Sequence, residues 1–303
     1  MITDIYEKGV ECGNTHTMAH TYIIRCDSVE EYAKTTADEV KIGKIQPVSG
    51  WMGKHDGAAW DLGVHGPEAC RMAVEGDPAL IPGVMHYLDA MQDVFINGEV
   101  TRWSPEVSGP LVSVPSYLSG NPRCMRSLRK REGSARHVSI YVNGTCSAGI
   151  HASDMLKRGQ AILALLESIQ RCKISCDLFM VGSVNSCDAY KRGDTYSVIR
   201  VESRPLDIGV SGFAVAHPAF TRNVIYALSC RHGYSGGWPD TFDMFGRGND
   251  FDGNGFTPWD HYVRDILGMK PEDVYCPPVL YNDAIIGNPE LWIKTRLSQI
   301  LGR

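Results

Sequence analysis

The side chains of this chain best suited to chemistry are the six cations of one short segment, residues 123–136. The segment reads RCMRSLRKREGSAR, and its single Glu leaves a local charge of +5. Guanidinium groups present forked donors that match the oxygens of a phosphate. Because the whole chain carries −5, the remainder carries −10 and repels the phosphates that this basic segment attracts. The pattern predicts a nucleic-acid contact.

Two tyrosines flank the basic segment and offer rings on which unpaired bases can stack. We therefore predict that single-stranded DNA binds to Arg123, Arg126, Arg129, Lys130, Arg131, Arg136, Tyr117 and Tyr141. A helix over residues 123–131 would place Arg123, Arg126 and Lys130 on one face. A protein-docking surface and an ordinary solvated surface are the alternatives for the same charges.

A second pattern, N-x-T-x-S, follows a predicted strand. Asn143, Thr145 and Ser147 would supply hard oxygen ligands for a divalent cation, with Asp283 as a later acidic partner. Asn at the first position removes a negative charge that such a site would use. The alternative is a strand-to-helix turn whose hydroxyls cap backbone groups. No other cofactor is predicted.

No catalytic motif in the sequence is complete. Cys146 and His151 lie five residues apart around a loop, a spacing that does not fix the geometry of a nucleophile and its base. Residues 250–255 match only the first half of an EF-hand loop, because His261 stands where a Glu is needed. We predict a protein that is not an enzyme.

Composition places the chain among ordinary globular proteins. Its 303 residues are 43% hydrophobic and 21% charged, as in a domain that buries a sizeable core. Ten cysteines without a CxxC pair are typical of a reducing compartment. With no apolar run of membrane-spanning length and an acidic first segment, we expect a cytoplasmic location and no membrane contact. Assembly into a homo-oligomer is left open.

The secondary-structure elements that must position these residues indicate an α/β fold. Alternating apolar residues from 137 predict a strand, and apolar residues at helical spacing predict a helix over 153–171. The nearly continuous apolar run 174–181 and the segment 196–201 predict further strands, with a helix over 219–228. Alternating strands and helices predict a mainly parallel central sheet flanked by helices.

The N-terminal part is less regular. Residues 1–122 are predicted to form an α+β segment that packs on an α/β core domain at 123–303, with one continuous domain as the alternative. Thr21–Cys26 is predicted to be a strand, and Ser28 begins a capping box that opens a helix. A possible strand at 279–281 and a closing helix at 289–301 complete the prediction.

Residues 137–182, a strand, loop, helix and strand, resemble the opening of a von Willebrand factor A domain. That family places D-x-S-x-S where Asn143, Thr145 and Ser147 stand here. The resemblance implies a von Willebrand A-like core. It also implies an adaptor that docks a protein partner, with or without a divalent cation, as the alternative function.

Three further segments, 64–69, 122–132 and 216–222, resemble a bacteriophage protein family of unassigned function. In size and character the chain is similar to the single-stranded-DNA-binding RNA polymerase cofactors of N4-related phages. This resemblance implies a transcription cofactor in the host cytoplasm. Such a protein would recruit RNA polymerase to melted promoter DNA.

Overall fold

A six-stranded sheet organises the chain, with strands in the order β1-β2-β8-β7-β6-β9. The computed structural model describes residues 2–12, 15–45, 62–91, 101–108, 111–130, 137–144, 150–188, 191–229, 264–265, 267–279 and 283–302. The strands in this part of the chain are β1 Ile2–Cys12, β2 Thr15–Cys26, β3 Thr101–Glu106, β4 Leu111–Val112, β5 Met125–Lys130, β6 His137–Asn143, β7 Ser175–Asp188, β8 Lys191–Val201 and β9 Val274–Cys276.

The described helices supply much of the buried apolar core. They are α1 Val29–Lys41, α2 Gly66–Glu75, α3 Ile81–Asp89, α4 Val114–Leu118, α5 Ala152–Arg171, α6 Ile208–Ala216, α7 Tyr226–Ser229, α8 Ala284–Gly287 and α9 Pro289–Leu301. A 3₁₀ turn at Pro78–Leu80 precedes α3, and a π-helical stretch at Phe220–Ile225 leads into α7. The predicted α/β class is therefore confirmed.

The sheet is mixed but mostly parallel. β6 is parallel to β7 and to β9, and β2 is parallel to β8. The pairs β1–β2 and β7–β8 are antiparallel. Parallel neighbours need a crossover connection, and α5 supplies it between β6 and β7. The carboxyl ends of β6, β7 and β9 consequently point toward the same edge of the sheet.

The main core lies between one face of the sheet and the helices. Alternate residues of β6, β7, β8 and β9 enter this core, and α5 is buried along most of its length. The opposite face carries a smaller apolar cluster centred on Ile23, Val181, Val198 and Tyr275. The period of two along each strand accounts for the division between the two faces.

The N-terminal segment is part of the same sheet. β2 pairs with β8 from His20↔Gly193 to Cys26↔Ile199, so residues before 122 contribute two strands to it. The predicted capping box is confirmed, since the Glu31 backbone N–H donates to Ser28 Oγ at 3.0 Å. Of the strand expected at 279–281, only Val279 lies within the described residues, where it is an isolated bridge position beyond β9.

A separate three-stranded sheet, in the order β3-β5-β4, carries the basic segment. Both of its strand pairs are antiparallel.

In the described part of the chain, no helix has the length and apolar character needed to cross a bilayer.

Candidate nucleic-acid interface

The basic segment forms a strand where a helix was expected. Residues 125–130 are β5, the central strand of the small sheet, so the helical prediction for 123–131 is wrong. Arg, Lys, Leu and Met favour helices in isolation, but pairing with β3 and β4 on both sides overrides that preference. In a strand, positions 126 and 130 lie on one face and position 129 on the other. The three basic positions are therefore divided between the two faces of the ladder.

The register of the small sheet adds a cation that the sequence did not reveal. Arg102 of β3 lies directly opposite Arg129 of β5. Like charges directly opposite each other in an antiparallel pair are destabilising. A bound anion between the two positions would remove that repulsion. This cross-strand pair is the clearest structural reason to expect an anionic ligand at the small sheet.

Tyr117 lies on the connection between β4 and β5. It belongs to α4, and its side chain is exposed. The connection is fixed at both ends, because the Ser113 N–H donates to the Cys124 carbonyl at 2.7 Å and the Asn121 N–H to the Ser116 carbonyl at 3.0 Å. Arg123 follows and is also exposed. The structure thus brings one predicted stacking ring and one predicted cation to the same exposed connection.

Tyr141 lies elsewhere, on the second face of the six-stranded sheet. Its ring stacks on Phe179, with centroids 4.9 Å apart and planes inclined by 13°. Burial raises the pKa of the Tyr141 phenol, and Asp273 adds to the shift. Arg200 stands opposite Phe179 in the register and its side chain is about half exposed. Tyr141 and Tyr117 therefore belong to different sheets.

The end of the basic segment is only partly described. Arg131 and Arg136 lie outside the described residues, as do the side chains of residues 126–130. The segment leads into His137, the first residue of β6. His137 Nδ1 is 3.0 Å from Ser175 Oγ, and its Nε2 is 3.3 Å from the Asp177 carboxylate.

The loop that was predicted to bind a metal begins beside Arg158, a buried arginine of α5. Arg158 of α5 donates from Nε to Asp283 Oδ2 at 2.9 Å, from Nη1 to the Asn143 carbonyl at 3.3 Å and from Nη2 to the Pro277 carbonyl at 2.5 Å. The two charged side chains are only 3% and 5% exposed. One guanidinium thus joins the carboxyl ends of β6 and β9 to Asp283.

The remaining polar atoms at this centre also have partners. Asp283 Oδ1 caps α8 by accepting from the Ile285 N–H at 2.7 Å, and the Asn143 side-chain amide donates to the Tyr275 hydroxyl at 3.3 Å. Gly144 follows, where a Cβ would lie 2.0 Å from the Met180 methyl and 2.6 Å from Thr221 Oγ1. This close packing explains why glycine stands there.

Two of the four predicted metal ligands lie within the described residues. Asn143 and Asp283 are engaged by neighbours, and the positive charge beside Asp283 comes from Arg158. Thr145 and Ser147 lie outside the described residues. Among the described residues, no group of three or more His, Cys, Asp or Glu side chains is placed to hold a metal.

We expect magnesium and EDTA to leave the melting temperature of the chain unchanged, because a guanidinium already neutralises the only acid of the predicted site. Thermal melting followed by circular dichroism, with millimolar Mg²⁺ and then with excess EDTA, measures this. A magnesium-dependent rise in melting temperature that EDTA reverses would contradict it.

Four of the described cysteines, Cys26, Cys70, Cys176 and Cys276, are buried. Burial raises the pKa of the Cys70 and Cys176 thiols to about 12 and that of Cys276 to about 11. Thiols are weak nucleophiles when so little thiolate is present. Cys146, the nucleophile considered from the sequence, lies outside the described residues, as does the calcium-like turn at 250–255.

Comparison with known proteins gives one match. Residues 8–253 match the model of a family described as a domain of unknown function, DUF7192. The chain belongs to that family. No curated protein and no solved structure matches this DUF7192 member. The family thus spans most of the N-terminal segment, the small basic sheet and the first strands of the core.

Proposed function

We propose that this DUF7192 protein is a non-enzymatic single-stranded-DNA-binding protein whose contact surface is the small three-stranded sheet. The Arg102–Arg129 cross-strand pair carries the proposal, since it concentrates positive charge on neighbouring strands. Arg126 and Lys130 add charge on the same central strand. The −10 carried by the rest of the chain would confine the phosphates to this sheet.

An exposed ring on the connection that precedes β5 supports binding of a single DNA strand. Tyr117 is 65% exposed on the connection that precedes β5. Unpaired bases stack on such rings, whereas paired bases cannot reach them. The DNA strand would place its phosphates along β5 and stack its bases on Tyr117. Tyr141 stacks on Phe179 in the other sheet. It would contact bound DNA that extends past His137.

Replacing Arg126, Arg129 and Arg131 together with alanine should weaken binding to every oligonucleotide sequence about tenfold or more at low salt. It should also reduce the salt dependence. Each phosphate neutralised on a single strand contributes about 0.7 to the slope of log K against log salt, so three lost contacts should remove about 2. Fluorescence polarisation with labelled oligonucleotides at several salt concentrations measures both quantities.

The matched control changes the same number of charges elsewhere. Lys34, Lys41 and Lys294 are exposed on α1 and α9, so their triple alanine variant has the same net charge as the arginine variant. Equal affinities of the two variants would mean that the small sheet is not the contact. Arg102→Ala gives a further check, since it should weaken binding about as much as Arg129→Ala if both arginines hold one phosphate.

A protein-docking function is the second candidate, and an exposed apolar surface favours it. Five large apolar residues of the small-sheet unit are strongly exposed: Val107, Val112, Val114, Tyr117 and Leu118. Contiguous exposed apolar surface marks interaction sites. In this alternative the unit docks a protein partner as the von Willebrand A-like adaptor predicted above would, and capture would tolerate salt. Recruitment of an RNA polymerase is proposed on the resemblance alone.

A further inference from the structure

A large cavity opens beside the amino ends of β6 and β9, away from the strand ends that meet at Arg158. Its volume is about 840 Å³, within the range of small-molecule sites. The wall combines the start of β6, residues 270–275 that lead into and begin β9, and the C-terminal half of α9. Its lining includes Arg264, Lys270, Glu272, Asp273, Tyr275 and Arg296.

Three permanent cations line this cavity: Arg264, Lys270 and Arg296. Two carboxylates, Glu272 and Asp273, oppose them. Both oxygens of Asp273 are engaged by backbone donors, because Oδ1 accepts from the Ser139 N–H and Oδ2 from the Lys270 N–H, each at 2.8 Å. These dipoles offset the charge of Asp273. Three cations against two carboxylates give the lining a net formal charge of +1.

Arg296 is the cation best placed to recognise a ligand. It lies half-buried on α9, and its Nη1 donates to the Gln299 side-chain oxygen at 3.0 Å. This partner is a neutral amide, so it orients the guanidinium without neutralising it. A fixed guanidinium fork pairs with two oxygens of one phosphate. The buried Tyr275 adds an aromatic residue to the same wall.

We propose that this cavity binds a phosphate monoester, supplied either by a free nucleotide or by the terminal phosphate of a nucleic-acid strand. The volume accommodates a nucleoside beside the phosphate, and the cations provide the charge complement. The site goes beyond the proposed function, because none of its lining residues belongs to the small sheet.

Isothermal titration with inorganic phosphate, thymidine monophosphate and thymidine tests the proposal. We expect the monophosphate to bind more tightly than thymidine. Arg296→Gln should weaken its binding about tenfold, which corresponds to the loss of about 1.4 kcal/mol from a charge-assisted contact. Lys270→Gln, at an exposed position, should weaken it in the same direction. The control is Lys294→Gln, which removes an exposed charge from the same helix and should leave binding unchanged.

Oligonucleotides with and without a 5′-phosphate separate the two sources. A gain in affinity from the 5′-phosphate that disappears in Arg296→Gln indicates a strand end, whereas binding of the monophosphate without that gain indicates a free nucleotide. Two outcomes would overturn the proposal. One is the absence of binding by phosphate, monophosphate and phosphorylated strand alike, and the other is equal binding by wild type and both variants.

Discussion

Replacing Arg158 with methionine is expected to lower the free energy of unfolding by about 3–5 kcal/mol, the usual cost of leaving one partner of a buried ion pair alone. The Asp283 carboxylate, 5% exposed, would lose its cationic partner, and the carbonyls of Asn143 and Pro277 would lose their donor. Urea denaturation followed by fluorescence measures the change. Methionine preserves much of the side-chain length, so the lost charge and hydrogen bonds dominate.

A double-mutant cycle isolates the ion pair. Asp283→Asn keeps an oxygen that can cap α8, so the variant with both replacements should recover part of the loss. Arg171→Met breaks an exposed pair with Glu167 and should change stability far less. A loss below about 1 kcal/mol in Arg158→Met would contradict the view that this arginine holds the strand ends together.

Gly159→Ala should destabilise the protein by about 1–3 kcal/mol even though alanine is the better helix former. A Cβ at this position would lie 2.2 Å from the Cα of Ala216 and 2.8 Å from its backbone nitrogen. Backbone atoms cannot move aside as a flexible side chain can, so α5 and α6 would have to separate. Thermal and urea unfolding of the variant measure the cost.

Gly287→Ala provides the comparison for Gly159→Ala. Gly287 also lies at a helical position, but a Cβ there would meet nothing within 4 Å. Its replacement should be neutral or stabilising by up to about 1 kcal/mol, because the unfolded chain loses conformational freedom. Opposite signs at the two glycines would support the close contact between α5 and α6. A stabilising effect at Gly159 would show that the helices are not so close.

Local patterns in the sequence predicted the elements whose stability is local. The spacing of apolar residues placed α5 to within one residue, and Ser28 marked the start of α1. The run of cations at 125–130 predicted the wrong element, because its strand form depends on β3 and β4 rather than on its own preferences. A short-range pattern carries no information about such partners.

The Arg158–Asp283 ion pair and the Arg102–Arg129 cross-strand pair both join residues that are distant in sequence. Arg158 and Asp283 are 125 residues apart, and no spacing rule links them. The sequence did not single out Arg102. Only the register of the small sheet, which sets it opposite Arg129, connects it with the basic segment. Asn143 and Asp283 were both selected from the sequence as metal ligands, and in the structure both accept hydrogen bonds from Arg158. The positive charge beside Asp283 belongs to Arg158 of α5. The sequence alone does not show this, because it depends on which face of α5 packs inward.

The parallel pairing of β2 with β8 has a consequence for how the chain acquires its structure. β2 finds its inner neighbour only after residue 199 has been synthesised. Until then the β1–β2 hairpin has one side without a partner, and pairings so remote in sequence close slowly. The sheet therefore cannot complete its folding until β8 has been made. A truncated product that stops before β8 would expose a strand edge prone to association.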